Sequence, residues 1–270
     1  MDNKGVEIIL GHNNNVGDLN YFVSTNFTFN RNEIVYMDEA ENIPEYRKKE
    51  GHPMNSWVVY ETDGIFNDST ELMNYPHIAG SQPGDLKYID VNEDGAISGD
   101  DQVRKYTSPI PEIQFGLDAG IRYKGIELNL FFQGQGNATT GIMYNDLGNR
   151  PEFYFTKRWT KSNPGGSFPR MFDQGDAYNK PSTHHLYNAS FIRLKNAEIA
   201  YNFSALNRIP SNNLLNGLRI YLRGTNLWTW DQTEFFDPEI DFDAEQQSSL
   251  KGIRIYPLRS IFTAGLNLQF

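Results

Sequence analysis

The C-terminal segment alternates apolar and polar residues without a break. Phe262, Ala264, Leu266, Leu268 and Phe270 stand against Thr263, Gly265, Asn267 and Gln269. Period-two alternation predicts a β-strand with one apolar face. The same pattern runs through Ile113, Phe115, Leu117, Ala119, Ile121 and Tyr123, with Gln114, Gly116, Asp118, Gly120 and Arg122 between them. Lys124-Gly125 then predicts a tight turn, and Ile126, Leu128, Leu130 and Phe132 return as the second arm of a hairpin. Leu19, Tyr21, Val23, Thr25, Phe27 and Phe29 alternate mostly with polar residues, and Leu218, Ile220 and Leu222 alternate with Arg219, Tyr221 and Arg223. Val6, Ile8 and Leu10 do the same before an expected turn at Asn13–Asp18. Between Phe191 and Phe203 the phase switches near Lys195-Asn196: Ile192 and Leu194 carry the apolar face first, then Ala197, Ile199, Tyr201 and Phe203. A β-bulge produces such a switch.

The predicted class is therefore all-β, with about seven antiparallel strands, most near the ~9–11 residues that cross a bilayer at a tilt. The connections alternate in length. Asn13–Asp18, Lys124-Gly125 and Ser204–Gly217 are short, whereas residues 30–112, 135–189 and 229–257 are long. Short turns on one side and long loops on the other are the habit of outer-membrane barrels. Tyr21, Tyr123, Tyr201, Phe203 and Phe270 all fall at the short-turn ends, where they would form one interfacial girdle.

Composition narrows the picture. The 270 residues carry a formal net charge of −10 and no cysteine, which excludes disulfides and thiolate metal sites. An acidic balance argues against a nucleic-acid partner, which requires a basic face. No apolar run approaches a membrane helix, but barrel strands average polar and nonpolar faces, so hydropathy leaves a barrel open. Met1-Asp2-Asn3-Lys4-Gly5 shows no basic region followed by an apolar stretch, so no signal peptide is expected here.

The sharpest motif is Asp90–Asp101 inside the connection 30–112. Oxygen donors at Asp90, Asn92 and Asp94, a glycine at Gly95, Ile97 at the eighth place and Asp101 at the twelfth follow the calcium-loop pattern. Ala96 would add its carbonyl and Ser98 its hydroxyl or a bridging water, so a structural Ca²⁺ clip is one reading and a solvated Asp/Asn/Gly turn the other. A second acidic patch, Asp237 to Glu245, reads as a solvated loop, since nothing in it fixes two carboxylates at a hydrolytic separation. His184-His185 reads as an exposed loop pair, because adjacent residues of an extended segment point to opposite sides. Trp57 and Trp159 offer rings for stacking or loop anchoring, and Trp228 and Trp230 suit the outer girdle. No catalytic constellation or phosphate-binding glycine loop is present, so the chain does not read as an enzyme.

An ordered set of stretches resembles the SusC/RagA family of TonB-linked outer-membrane transporters. It comprises Tyr36-Met37-Asp38-Glu39-Ala40, Gly51-His52-Pro53, the Asp90–Asp101 loop, Phe115-Gly116-Leu117 through Phe131-Phe132-Gln133-Gly134, and Lys157-Arg158-Trp159-Thr160. Further on come Ser190 to Asn196, Asn226-Leu227, Asp237-Pro238-Glu239, Tyr256-Pro257-Leu258-Arg259 and the final Gly265 to Phe270. The resemblance implies that residues 1–270 are the C-terminal portion of a large transmembrane β-barrel of about 22 strands, without the signal peptide, plug domain and earlier strands of the family. It implies import of glycans (oligosaccharides) or peptides across the outer membrane, with a SusD-like surface lipoprotein as lid and the TonB complex as energy source. Phe270 matches the terminal aromatic that the barrel-assembly machinery recognises. Outer-membrane lipid would meet the apolar stripe, and Asn129, Arg219, Arg223, Asn267 and Gln269 would face the lumen. The competing expectation is a soluble all-β, calcium-stabilised carbohydrate-binding module, which would hide the apolar stripe in a sandwich.

Overall fold

The computed structural model describes residues 1–142, 152–171, 180–203, 217–233, 236–239 and 258–269. In chain order the strands are β1 (Asp2–Val16), β2 (Leu19–Glu33), β3 (Val58–Tyr60), β4 (Thr62–Ile65), β5 (Leu86–Tyr88), β6 (Gln102–Arg104) and β7 (Ile113–Tyr123). They continue with β8 (Ile126–Gly136), β9 (Thr139–Gly141), β10 (Leu186–Asn188), β11 (Phe191–Asn202), β12 (Gly217–Asp231) and β13 (Ile261–Gln269). Two short helices, α1 (Ser69–Met73) and α2 (Glu152–Lys157), lie in the connections. No helix among the described residues is long and apolar enough to cross a membrane.

Seven strands form one wall in the order β1-β2-β7-β8-β11-β12-β13. Every neighbour is antiparallel, so the wall is an up-and-down meander. The register aligns the apolar residues. Tyr21, Ile121, Leu128, Ile199, Leu222 and Ala264 stand side by side from β2 to β13. Leu19, Tyr123, Ile126, Tyr201, Ile220 and Leu266 form the next row. This face is open: Leu222 is 59% exposed and Leu266 61%. Among the described residues no second layer covers it, which does not favour the sandwich of a soluble module. An open apolar belt on strands of this length is what a barrel presents to lipid.

The phase switch in β11 has the expected cause. Leu194 pairs with Phe132 and Asn196 with Phe131, so Lys195 is the extra residue of a bulge. Without it, Ala197 and Ile199 would turn inward, because a one-residue slip flips every later side chain. On the other side β12 carries its own irregularity at Asn226, where φ is 51°. The Asn226 amide donates to the Arg259 carbonyl at 3.1 Å, and the Asn226 carbonyl accepts from the Ser260 hydroxyl at 2.6 Å. That pins the chain at the start of β13. Trp228 and Trp230 then sit opposite Leu194 and Ile192, largely exposed at the loop end of the open face.

Three glycines let aromatic rings lie flat on the wall: Phe22 opposite Gly120, Phe115 opposite Gly134 and Tyr221 opposite Gly265. A β-carbon at any of these glycines would collide with the ring. Aromatic cover of a cross-strand glycine is a known way to fix register in curved sheets.

One expectation needs correction. The first turn is Gly17-Asp18, not Asn13–Asp18: Asn13, Asn14 and Asn15 pair with Phe22, Tyr21 and Asn20. The backbone ladder continues past the apolar belt, because hydrogen bonds to β2 do not depend on side-chain hydropathy. The connection after β2 is long, as expected, and it is folded. Residues 34–112 and 137–190 carry three two-stranded sheets, β3-β6, β4-β5 and β9-β10. Most buried apolar side chains lie here and not in the wall. Trp57 and Val59 pack on Leu186, while Tyr60, Leu86 and Tyr88 pack with Ile65, Ile78 and Ile97. Ile142, Tyr154 and Phe168 form a third cluster. The Ser204–Gly217 turn and Phe270 lie outside the described residues, apart from Gly217 itself.

Leu222→Arg, on the open face, should cost about 2–4 kcal/mol in a bilayer. Ser24→Arg, on the opposite face beside Asp118, should cost far less. Urea titration of folding into lipid vesicles measures both, and equal costs would show that the open face does not meet lipid.

Candidate functional site

The face opposite the apolar belt carries charge. Arg219 on β12 donates to Glu127 on β8 at 2.9 and 2.8 Å and to Glu198 on β11 at 2.7 Å. Glu198 in turn accepts from Arg223 at 2.8 Å. The Tyr221 ring lies between Arg219 and Arg223, with the two guanidinium carbons 5.5 and 5.6 Å from its centroid. These residues alternate with the lipid-side row, so the pleat places the whole network on the inner surface. Arg219 and Arg223 were expected there, and the carboxylates that hold them come from strands whose pairing only the fold supplies.

Closer to the loops, Arg193 on β11 is 1% exposed. Its guanidinium binds Asp237 at 2.7 Å, Glu239, and the Thr229 hydroxyl at 2.8 Å. Glu239 also accepts from Lys195 at 3.2 Å and Gln133 at 3.0 Å. The Asp237 patch is therefore not solvated at its start. Asp237 and Glu239 clamp a buried arginine on the inner wall, a planar fork matched to two carboxylates. Residues 240–245 of that patch lie outside the described residues. Ser190 to Asn196 and Asp237-Pro238-Glu239 are separate stretches of the resemblance that this contact joins.

The Asp90–Asp101 loop connects β5 to β6. Asp90 accepts from the amides of Asp94 at 3.2 Å and Gly95 at 2.8 Å, and Asp94 accepts from Ala96 at 2.9 Å. The Asn92 side chain accepts from the Asp94 amide at 3.1 Å. Asp101, fully buried, accepts from Val91 at 2.9 Å and Ser98 at 2.7 Å. Gly95 takes a φ of 83°, which only glycine adopts without strain. Ile97 packs onto the Tyr60–Leu86–Tyr88 cluster and anchors the loop. The donors are the hard oxygens Ca²⁺ takes, but they serve the loop's own amides. Among the described residues no three acidic or histidine side chains converge on one point.

The histidine pair is not exposed. His185 is buried and its Nδ1 lies 2.9 Å from the Ser182 hydroxyl. His184 is half-buried, edge-on to Phe168 at 5.6 Å. The segment turns through a 3₁₀ helix instead of staying extended, so both rings enter the loop core. Burial pulls the His184 pKa down to about 4, and burial followed by the neighbouring His184 lowers that of His185. The Ile142 amide donates to the His185 carbonyl at 2.8 Å and the Tyr60 amide to Pro181 at 3.0 Å, so this segment joins separate loop sheets. No sequence signal separated a buried histidine pair from an exposed one. The Trp159 ring fills the space left by Gly84 and lies inside the loops as an anchor.

Two outcomes follow. Arg193→Met removes the cation that Asp237 shares with Glu239, leaves Glu239 with Lys195, and should destabilise by up to about 3–5 kcal/mol. Protease cleavage near Glu239 should rise in parallel, and unchanged cleavage would mean the clamp does not hold the segment. For the histidines, the folded pKa lies below the unfolded value of 6.5, so the unfolded chain binds more protons at low pH. Stability should be constant above about pH 6.5 and fall as pH drops toward 4, by about 2 kcal/mol at pH 5 for His184. Hydrogen exchange at the Ile142 and Tyr60 amides reads this, and equal protection at pH 7 and pH 5 would contradict it.

No protein-family model matches the sequence. TonB-dependent receptor P26 of Formosa agariphila is 28% identical over 295 residues, covering 100% of this chain and 29% of that protein. TonB-dependent receptor SusC of Bacteroides thetaiotaomicron is 23% identical over 280 residues, covering 100% of this chain and 26% of that protein. Among solved structures, the RagAB peptide transporter superposes with a TM-score of 0.71 at 26% identity, over 99% of this chain and 29% of that one. The RagAB peptide importer in its "closed-closed" state gives 0.68 at 25% identity, again over 99% of this chain and 29% of that one. The chain thus spans about three tenths of the length of the relatives it matches. In sequence along its whole length and in the antiparallel wall it builds, the chain corresponds to the C-terminal part of SusC- and RagA-like TonB-dependent receptors, the β-barrels of the outer membrane.

Proposed function

We propose that the chain supplies part of the barrel wall of an outer-membrane nutrient importer that draws its energy through TonB. The observation that carries this reading is the division of the wall into two faces. Apolar rows face outward from β2 to β13, and the Arg219–Glu198–Arg223 network faces inward. A solute path needs an inner surface that water wets and an outer surface that lipid wets. The cargo is an oligosaccharide or a peptide, and the folded loops at the rim suit contact with a SusD-like surface lipoprotein. The barrel-assembly machinery would insert the wall into outer-membrane lipid, with Phe270 as its recognition residue. The chain has no catalytic part in this reading.

Deleting the coding sequence in the organism that carries it should abolish growth on one complex polysaccharide or peptide source. Growth on the matching monosaccharides or amino acids should remain normal, and loss of TonB should give the same defect. Normal growth on every polymer, or recovery of the protein outside the outer membrane, would end this reading.

The Ca²⁺ clip stands within this proposal on donor chemistry alone. Asp90, Asn92, Asp94, the Ala96 carbonyl, Ser98 and Asp101 would hold the ion and stiffen the β5–β6 loop. Calorimetric titration of the purified protein should release heat at or below millimolar calcium and raise the melting temperature. No heat, with no shift on adding chelator, would leave the loop closed by its own amides.

A further inference from the structure

A cleft of about 460 Å³ opens at the loop-side rim, where the ends of β2 and β8 meet β9, β10 and the chain leading into β7. Tyr106 forms one side. The residue is 73% exposed, yet its ring is held in place, stacked on His52 at 4.1 Å with 23° between the planes. His52 is itself buried, with Nδ1 3.1 Å from the Glu50 carbonyl. The ring thus offers solvent a flat, fixed apolar face of the kind on which a ligand ring stacks.

The charge of the cleft cancels. Among its described lining residues only Arg31 and Glu112 are charged. They join through two hydrogen bonds of 2.7 Å each. Glu112 also accepts from the Asn137 side chain at 3.2 Å. The Arg31 guanidinium first, with burial opposing it, holds the Glu112 pKa below the usual carboxylate value. The remaining polar groups are neutral, chiefly the amides of Asn30, Asn32 and Asn188.

We propose that this cleft is a binding subsite for an uncharged sugar residue of an oligosaccharide. The C–H face of a pyranose would lie on Tyr106, and its hydroxyls would exchange hydrogen bonds with the amides and the bidentate pair. Sites of this kind join an apolar surface to a few placed polar groups. A uronate, a sulfated sugar or a peptide terminus would bring a charge with no free partner, and an uncompensated charge is penalised on desolvation. The proposal deepens the import reading by naming the cargo class at one place on the rim.

The test uses the protein extracted in detergent from the outer membranes of its own host. It is applied to an array of neutral oligosaccharides, oligogalacturonates, sulfated oligosaccharides and short peptides. At least one neutral oligosaccharide should bind, with the charged glycans and peptides weaker. Tyr106→Ala should weaken that binding about tenfold, the order expected for a lost ring contact, while Tyr106→Phe should keep it. Tyr106 is exposed, so both variants should fold. No neutral ligand bound, stronger binding of a charged glycan or peptide, or binding indifferent to Tyr106→Ala would each overturn the proposal. Uptake by the deletion strain carrying the wild-type gene is read separately. Tyr106-dependent sugar binding without restored uptake would overturn the import reading alone.

Discussion

The wall depends on keeping one face apolar while every backbone group stays in the antiparallel ladder. In lipid an unpaired amide or carbonyl costs several kcal/mol, so the strands cannot break to correct their phase. They correct it with added residues. Lys195 shifts β11 by one position relative to β8, and Ile199 and Tyr201 return to the row of Leu128 and Ile126. The flattened aromatic–glycine pairs serve the same end, because Phe22 and Tyr221 cover the wall without prying strands apart.

The inner face meets the opposite demand. Guanidinium groups there face carboxylates from neighbouring strands, so strand order determines which charges meet. Arg219 bridges β12 to both β11 and β8 through Glu198 and Glu127. Arg193 does similar work at the loop end, but its partners arrive from the connection after β12. The inner wall and the rim are therefore not independent. A loop that binds a wall arginine at Asp237 and Glu239 starts its path inside the cylinder.

The strands were legible because their signal is local. Alternation around Ile121, Leu222 and Leu266 needs no knowledge of partners, and even the bulge at Lys195 appears as a change of phase within one segment. The extension of β1 through Asn13–Asn15 was not legible, since polar residues on an edge strand carry no period. The rim was harder still. Burial of His185 depends on Ser182 and on sheets drawn from residues 58–104 and 139–188, and no short window holds both. Tyr106 and His52 are likewise distant in sequence, and the pairing of β3 with β6 brings the segments that hold them together. The Arg193 clamp was half visible: both stretches stood out, but nothing in either named the other.

The direction of the two outermost strands carries one more consequence. In a meander whose neighbours all run antiparallel, the first and last of seven strands point the same way, so β1 and β13 are parallel. They cannot be zipped directly to each other in an antiparallel barrel. Whatever spans the gap between those edges must contribute an odd number of strands, which makes the total even, as closed bacterial barrels require. A second copy of this wall would satisfy that parity, yet joined β13 to β1 at both seams the two walls meet antiparallel only if one is inverted relative to the other.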